Sequence, residues 1–384
     1  MNSPLSNMEH ESIGRAETIV LLTIVILAAA LRIHELGRVH IEHFDEGVYA
    51  SNRWFTVEEE TRYPNRHLYA PPLLPALLEW SQLLLGTGSW GTLFLPVALG
   101  TLTVGFVWWL MRHFTGPVPA LATAFIAAIS EPHILYSRTA LTDVPMIALM
   151  LLAIGLAWQG IASSDWKRSL AAGVITGLCW STKYNGWFPL AVSGAGLVAF
   201  TLFHVKRFGG FPRAGVNWLL VCAVAAIVWL PAWRDLQPEG RGGYSAVQEN
   251  HSNYIEGPAK WVGNFQQQFD NLIWFESWTM RGILSGILIV SGCVVFVGGA
   301  RSGSSDGKRN PLEFVVGTIL VMSAGALAVG PFLPWHMILF AAACFGYASR
   351  LREVILPTDD RSLTADRALA TWFCLAWFFS LLIV

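Results

Sequence analysis

Charge is scarce in this 384-residue chain: Asp, Glu, Lys and Arg make up 13% of it against 54% hydrophobic residues, where a soluble chain carries about 25% charge. That shortage excludes an ordinary soluble enzyme and, with long apolar runs, marks an integral membrane protein. A net charge of −1 offers no basic surface for nucleic acid, so that class of partner is excluded as well. Cysteine is sparse too. Cys179, Cys222, Cys293, Cys344 and Cys374 all lie in apolar segments without metal or redox spacing, and read as small buried apolar residues. No internal repeat, low-complexity tract or Gly/Ser linker divides the chain, so a single transmembrane domain over 1–384 is expected.

What the chain has instead is apolar windows, near 17–36, 90–110, 117–135, 142–161, 169–182, 186–204, 215–233, 282–300, 313–330, 334–349 and 368–384. They predict an all-α, polytopic protein of about eleven membrane-spanning helices. Windows 169–182 and 334–349 are shorter than the roughly twenty residues that cross a bilayer. Charge parity counts them nonetheless. Lys167 and Arg168 precede window 169–182, and Lys206 and Arg207 follow window 186–204; both pairs are cytoplasmic only if two crossings separate them. With the N-terminus inside, Arg112, Arg309 and Arg350 join them in short cytoplasmic loops, as the positive-inside rule requires. The leader before the first window is acidic (Glu9, Glu11, Glu17), which favours an uncleaved anchor over a signal peptide. The expected location is the cytoplasmic (inner) membrane.

Two long segments, about 37–89 and 234–281, then lie outside, and long loops in a compact protein are usually functional. In the first, "LYAPPLLPALLEWSQLLLG" from Leu68 to Gly86 is apolar but interrupted by Pro71, Pro72, Pro75, Glu79 and Gln82, the pattern of a helix lying on the membrane. The same face gathers "FDEGVY" with Asp45 and Glu46, and "EPHILYSRTALTD" with Arg138 and Asp143. It also holds "STKYNG" with Lys183 and Tyr184, "GGYSAVQENHSNYIEG" with His251 and Tyr254, and "PFLPWHM" with His336. Ionisable residues at membrane level are costly and usually tied to a cavity, partner or pathway.

Each has an ordinary reading as well. Arg138 and Asp143 could pair at a helix end, Lys183 could snorkel to headgroups, and Asp143 before Val144 and Pro145 suits a helix start. His336 beside Trp335 could be an interfacial anchor, and the acidic pair solvated loop charge. Those readings leave the shared face unexplained. A carboxylate there can act as general base toward an acceptor hydroxyl or amine. Arg138, Lys183 and His336 can hold a phosphate at headgroup depth and stabilise it as a leaving group. The pattern suits group transfer from a lipid phosphate.

A lipid or glycan transporter or flippase is the alternative, because many spans with intramembrane charges also describe that class. It predicts repeat symmetry and charges at the bilayer midplane. A non-catalytic scaffold is a third reading, and predicts that the outer carboxylates are dispensable. Asp45, Glu46 and Asp143 supply oxygen ligands of the kind a divalent cation takes. Nothing fixes their spacing across loops, and no metal or other cofactor is assigned.

The acidic pair in "FDEGVY", "YSRTALTDVP" opening the fourth span, "STKYNG" after the fifth and "PWHMILFAAACF" late in the chain resemble the GT-C superfamily of integral membrane glycosyltransferases. The resemblance is to the branch that includes protein O-mannosyltransferases and the aminoarabinose transferase of lipid A. It implies inverting transfer of a sugar, hexosyl or pentosyl, from a polyprenyl-phosphate-linked donor to a lipid, glycan or protein acceptor on the non-cytoplasmic face. By that resemblance Asp45 matches the catalytic base, Glu46 its acidic neighbour and Asp143 a second active-site carboxylate. Lys183 matches a group on the donor phosphate, with Tyr184 beside it as a further donor, and His336 matches the basic or aromatic position of a late helix. The sequence departs from the pattern where Ala70, rather than a basic residue, precedes Pro71-Pro72, which moves phosphate binding to other groups such as His67. The chain ends at Val384 in an apolar segment, whereas many relatives continue into a soluble outer domain. Acceptor choice is therefore expected to rest on the two outer loops, with His251 and Tyr254 as candidates, or on a partner.

Overall fold

Proline and glycine decide where several helices of this chain stop and how closely they approach one another. The computed structural model describes residues 13–41, 43–51, 66–115, 117–208, 213–237, 242–252, 263 and 365–383. Among these, every regular element is a helix. The chain divides into two units, Met1–Glu256 with Ala365–Leu382 and Gly257–Thr364, and the helices below build the first. They are α1 (Arg15–Ile33), α2 (Phe44–Ser51), α3 (Leu73–Leu85), α4 (Ser89–Thr115), α5 (Pro117–Ile129) and α6 (Glu131–Ser137). Then follow α7 (Asp143–Ala162), α8 (Trp166–Thr182), α9 (Phe188–Phe208), α10 (Ala214–Asp235), α11 (Gly243–His251) and α12 (Ala365–Ile383).

Five segments among the described residues are helical, long and apolar enough to cross a membrane: Arg15–Arg38, Ser89–His113, Asp143–Ala162, Phe188–Val205 and Ala214–Asp235. The all-helical membrane architecture expected from the sequence is what the structure has. The windows at 282–300, 313–330 and 334–349 lie outside the described residues. One window resolves differently from its expectation. Instead of one helix over 117–135, the chain forms α5 and α6 with a break at the extended Ser130. Pro132 is the reason: it has no N–H to donate, and its ring would collide with the carbonyl four residues earlier, that of Ala128.

The hub is α7, with 78% of its apolar window buried against 17% for the first span. It packs against α4, α8, α9 and α10. The 17 residues of α8 run antiparallel along it for its whole length: the Gly160 backbone meets Ser169 at one end, and Lys183 pairs with Asp143 at the other. This short helix therefore reaches as far as α7 does. On its other side α8 fits tightly against α10, where a Cβ on Gly177 would lie 2.5 Å from Val228 Cβ and 2.8 Å from the Ala225 carbonyl oxygen. With Gly173 in similar contact with Val224, this is a small-xxx-small seam that lets two membrane helices approach closely. A buried bond from Asn217 Nδ2 to the Gly160 carbonyl, 3.1 Å, ties α10 to α7. Farther along, Arg112 Nε on α4 meets Glu17 Oε1 on α1 at 2.7 Å, which joins the start of α1 to the end of α4.

Candidate active site

The end of the helices opposite the Arg112–Glu17 pair brings together most of the residues expected to act. The acidic pair occupies the first turn of α2, where the helix dipole favours negative charge. Its two members diverge at once. Glu46 is 3% exposed; its Oε1 accepts the Ala140 N–H at 2.8 Å and its Oε2 the His43 N–H at 3.1 Å. It thus clamps the loop before α7 onto α2. The Asp45 side chain is 34% exposed, with Oδ2 3.9 Å from His43 Nδ1. That nitrogen accepts the Asp45 backbone N–H at 3.2 Å, so it carries no proton to give the carboxylate. Asp45 remains open to solvent.

Tyr49 lies one turn beyond Asp45 and is 5% exposed. Burial first, then the charges of Asp45 and Asp143, then Tyr184 and Tyr69, push its phenol well above the ordinary range. The hydroxyl therefore stays protonated. More telling is that two carboxylates from distant parts of the chain act on one group. Asp143 opens α7, and its Oδ1 holds Lys183 Nζ at 2.7 Å; the two side chains are 41% and 32% exposed. Lys183 caps α8 in extended conformation. The turn that follows is fixed by the Gly186 N–H bonded to the Lys183 carbonyl at 2.8 Å. Only glycine fits there, because a Cβ on Gly186 would sit 2.1 Å from the Cys179 carbonyl oxygen.

Tyr184 joins the outer loops to this turn. Its hydroxyl donates to the His67 backbone carbonyl, and its ring lies edge-on to Tyr244 at 6.2 Å and to His251 at 6.1 Å. The side chain of His67 is buried, 4% exposed, so what His67 presents to Tyr184 is its carbonyl. Asn250 Nδ2 donates to the Leu68 carbonyl at 3.3 Å, fastening α11 to the same turn. His251 Nδ1 bonds the Val247 carbonyl at 2.8 Å. A carbonyl only accepts, so Nδ1 is the donor in that contact. His336 and Tyr254 lie outside the described residues.

Arg138 donates through Nη2 to the His34 carbonyl at 2.8 Å, and its buried Nε has no hydrogen-bond partner among the described residues. It does not pair with Asp143, which takes Lys183 instead. Next to it stands a residue that motif reading passed over. Arg32 is 0% exposed, with Nε on Ser137 Oγ at 3.2 Å and Nη1 on the carbonyls of Ala28 and Ala128 at 2.9 and 3.2 Å. Its Nη2 reaches the Ala127 carbonyl at 3.4 Å and His133 Nδ1 at 2.6 Å. A guanidinium only donates, so His133 is neutral and accepts. Arg32 thereby caps the carbonyls that Pro132 leaves at the end of α5, where the dipole is negative. Two signals pointed to these missed residues: Arg32 is a charge inside an apolar window, and Tyr49 follows Asp45 at helical spacing. Among the described residues, no group of three or more His, Cys, Asp or Glu gathers in metal-holding geometry.

Residues 69–233 match the family model described as dolichyl-phosphate-mannose-protein mannosyltransferase. That stretch takes in Arg138, Asp143, Lys183 and Tyr184 and begins after the acidic pair. In fold, the chain is similar to the Archaeoglobus fulgidus oligosaccharyltransferase in the apo form, with TM-score 0.50, 14% identity, and 96% of this chain and 54% of that one covered. ArnT from Cupriavidus metallidurans bound to undecaprenyl phosphate gives 0.47, 15%, 96% and 77%. The S. cerevisiae protein O-mannosyltransferase Pmt1-Pmt2 complex bound to the sugar donor gives 0.44, 19%, 58% and 32%. The chain thus spans about a third of the yeast protein and about half of the archaeal one. No curated protein matches it in sequence. The likeness to GT-C membrane glycosyltransferases carried by the motifs is borne out.

Proposed function

We propose that this chain is a GT-C membrane glycosyltransferase, moving a sugar from a polyprenyl-phosphate-linked donor to an acceptor on the non-cytoplasmic face of the membrane, with inversion at the anomeric carbon. One observation carries the reading: Glu46, next to the open carboxylate of Asp45, holds Ala140 at 2.8 Å, three residues before the Asp143 that pairs with Lys183 at 2.7 Å, so an open base and a half-exposed cation lie at the same end of the helices. The acceptor hydroxyl gives its proton to Asp45 as its oxygen bonds to the anomeric carbon. The bond from that carbon to the phosphate oxygen breaks, and its electron pair leaves with the polyprenyl phosphate. Lys183, with Arg138 beside the loop, stabilises the charge on that leaving group. Lys183 can do so because its partner is exchangeable: an ion pair as exposed as this one is worth about 0–1 kcal/mol. Glu46 acts by position, holding the loop that carries Arg138 and Asp143 against the helix that carries Asp45. The sugar is a hexosyl or pentosyl group, and the acceptor a lipid, glycan or protein.

The test is incubation of the purified full-length protein with a panel of polyprenyl-phosphate sugars and candidate acceptors, scoring release of polyprenyl phosphate. Asp45→Asn keeps the side chain's size and removes the proton acceptor. Turnover is expected to fall about a hundredfold while donor binding persists. A variant with near-normal turnover removes Asp45 from the mechanism, and a panel with no release removes the reaction.

A further inference from the structure

The Lys183 turn opens onto a second feature that the transfer chemistry does not use. From Tyr184, six rings touch in an unbroken series across α8, α10 and α11. Trp180 and Trp229 stack with centroids 4.1 Å apart and planes 7° from parallel. Trp229 touches Trp233 at 5.3 Å and Tyr244 at 6.2 Å, and Trp233 touches Tyr244 at 6.0 Å. Tyr244 closes the series on Tyr184, which meets His251. The set passes from packed to open: Trp229 is 8% exposed and Trp233 is 37% exposed. The indole N–H groups of Trp180 and Trp229 are buried without an acceptor.

Tryptophan and tyrosine are common at membrane interfaces as belts of rings against lipid. This set differs from a belt in two respects. Its rings pack on one another, Trp180 face to face with Trp229 and the others edge-on or tilted, and they lead to a tyrosine whose hydroxyl donates to the His67 carbonyl. Its outer border, α11, exposes Ser245, Gln248, Glu249 and Asn250, which an isoprenoid tail would leave unused. Aromatic faces bordered by amide, carboxylate and hydroxyl groups match a molecule with an apolar face and polar edges. A pyranose has that form, with C–H bonds on its face and hydroxyls round its rim.

The geometry points to a saccharide-binding subsite at Trp233, Tyr244 and the exposed edge of α11, occupied by a sugar ring of the acceptor. The inference rests on the glycosyl-transfer reading. The donor's own sugar must place its anomeric carbon beside Asp45 and Lys183, whereas the rings lead away from Lys183 toward α10 and α11. A ring bound there belongs to the molecule that receives the sugar, which makes the acceptor a glycan or glycolipid.

Full-length protein in micelles would be titrated with a panel of methyl hexosides and pentosides, followed by saturation-transfer NMR on the ligand ring protons. At least one glycoside is expected to bind, and Trp233→Leu to weaken it about tenfold. Trp233→Phe, which keeps a ring, is expected to retain most of the affinity and shows that the fold survives substitution there. Contact with no glycoside, or equal affinity in Trp233→Leu and the parent, overturns the subsite and leaves the rings as a membrane belt. Release of polyprenyl phosphate is measured on the same samples. Release without glycoside binding removes the subsite and keeps the transfer reading; glycoside binding without release from any donor does the reverse.

Discussion

Two cationic corners stand at the same end of the helices and are built in opposite ways. Arg32 is sealed, and all its donors meet neutral acceptors: three backbone carbonyls, a serine hydroxyl and a histidine nitrogen. Lys183 is half-open and held by one carboxylate that is itself half-open. The difference separates structure from chemistry. A buried charge with every donor matched is costly to disturb and cannot change partners, so it holds the break between α5 and α6. An exposed pair contributes little to stability, which is what the proposed transfer needs of a lysine that trades its carboxylate for a donor phosphate.

The comparison can be broken most forcefully at the sealed corner. Arg32→Met strands the Ala127 and Ala128 carbonyls, and should cost about 2–6 kcal/mol of stability, at about 1–3 kcal/mol for each unmet buried group. Thermal unfolding in detergent reads the loss, and an unchanged transition would show that Arg32 is not the lock. Next comes the open corner. Lys183→Met should weaken donor binding by about 1.5–3 kcal/mol, the range for a hydrogen bond to a charged group, while stability moves by about 1 kcal/mol or less. Lys183→Arg should restore part of the affinity. Equal donor affinity in parent and Met variant would return this lysine to a headgroup contact. The smallest effect is expected between the corners. Glu46→Gln keeps one carbonyl acceptor for the two N–H groups that the carboxylate holds, and should cost about 1 kcal/mol of stability. Turnover should fall by less than in Asp45→Asn. A loss as deep as that of Asp45→Asn would move Glu46 from positioning to proton transfer.

Much of this was legible in the sequence, and the reason is local. Apolar windows of bilayer length, the prolines that interrupt Leu68 to Gly86 and the basic residues between windows are all properties of short stretches. They placed Asp45, Arg138, Asp143, Lys183, Tyr184, His67 and His251 on one face. What they could not supply was the pairing. Asp143 takes Lys183 from the next helix rather than Arg138 from its own loop, and Glu46 serves the Ala140 N–H rather than standing beside Asp45 as a second open acid.

The sequence by itself determined that this is a membrane protein built of helices and which residue types gather in the segments between its apolar windows, because hydropathy and charge patterns act over a few residues. Only the tertiary structure decided that one carboxylate is sealed and its neighbour open, that the buried arginine caps a helix broken by Pro132, and that six rings from α8, the turn after it, α10 and α11 touch. Those outcomes depend on which elements pack together: α1 with α5 and α6, α2 with the loop before α7, and α8 with α10. Such packing is set by the side chains of all the partners at once, not by the pattern of any one.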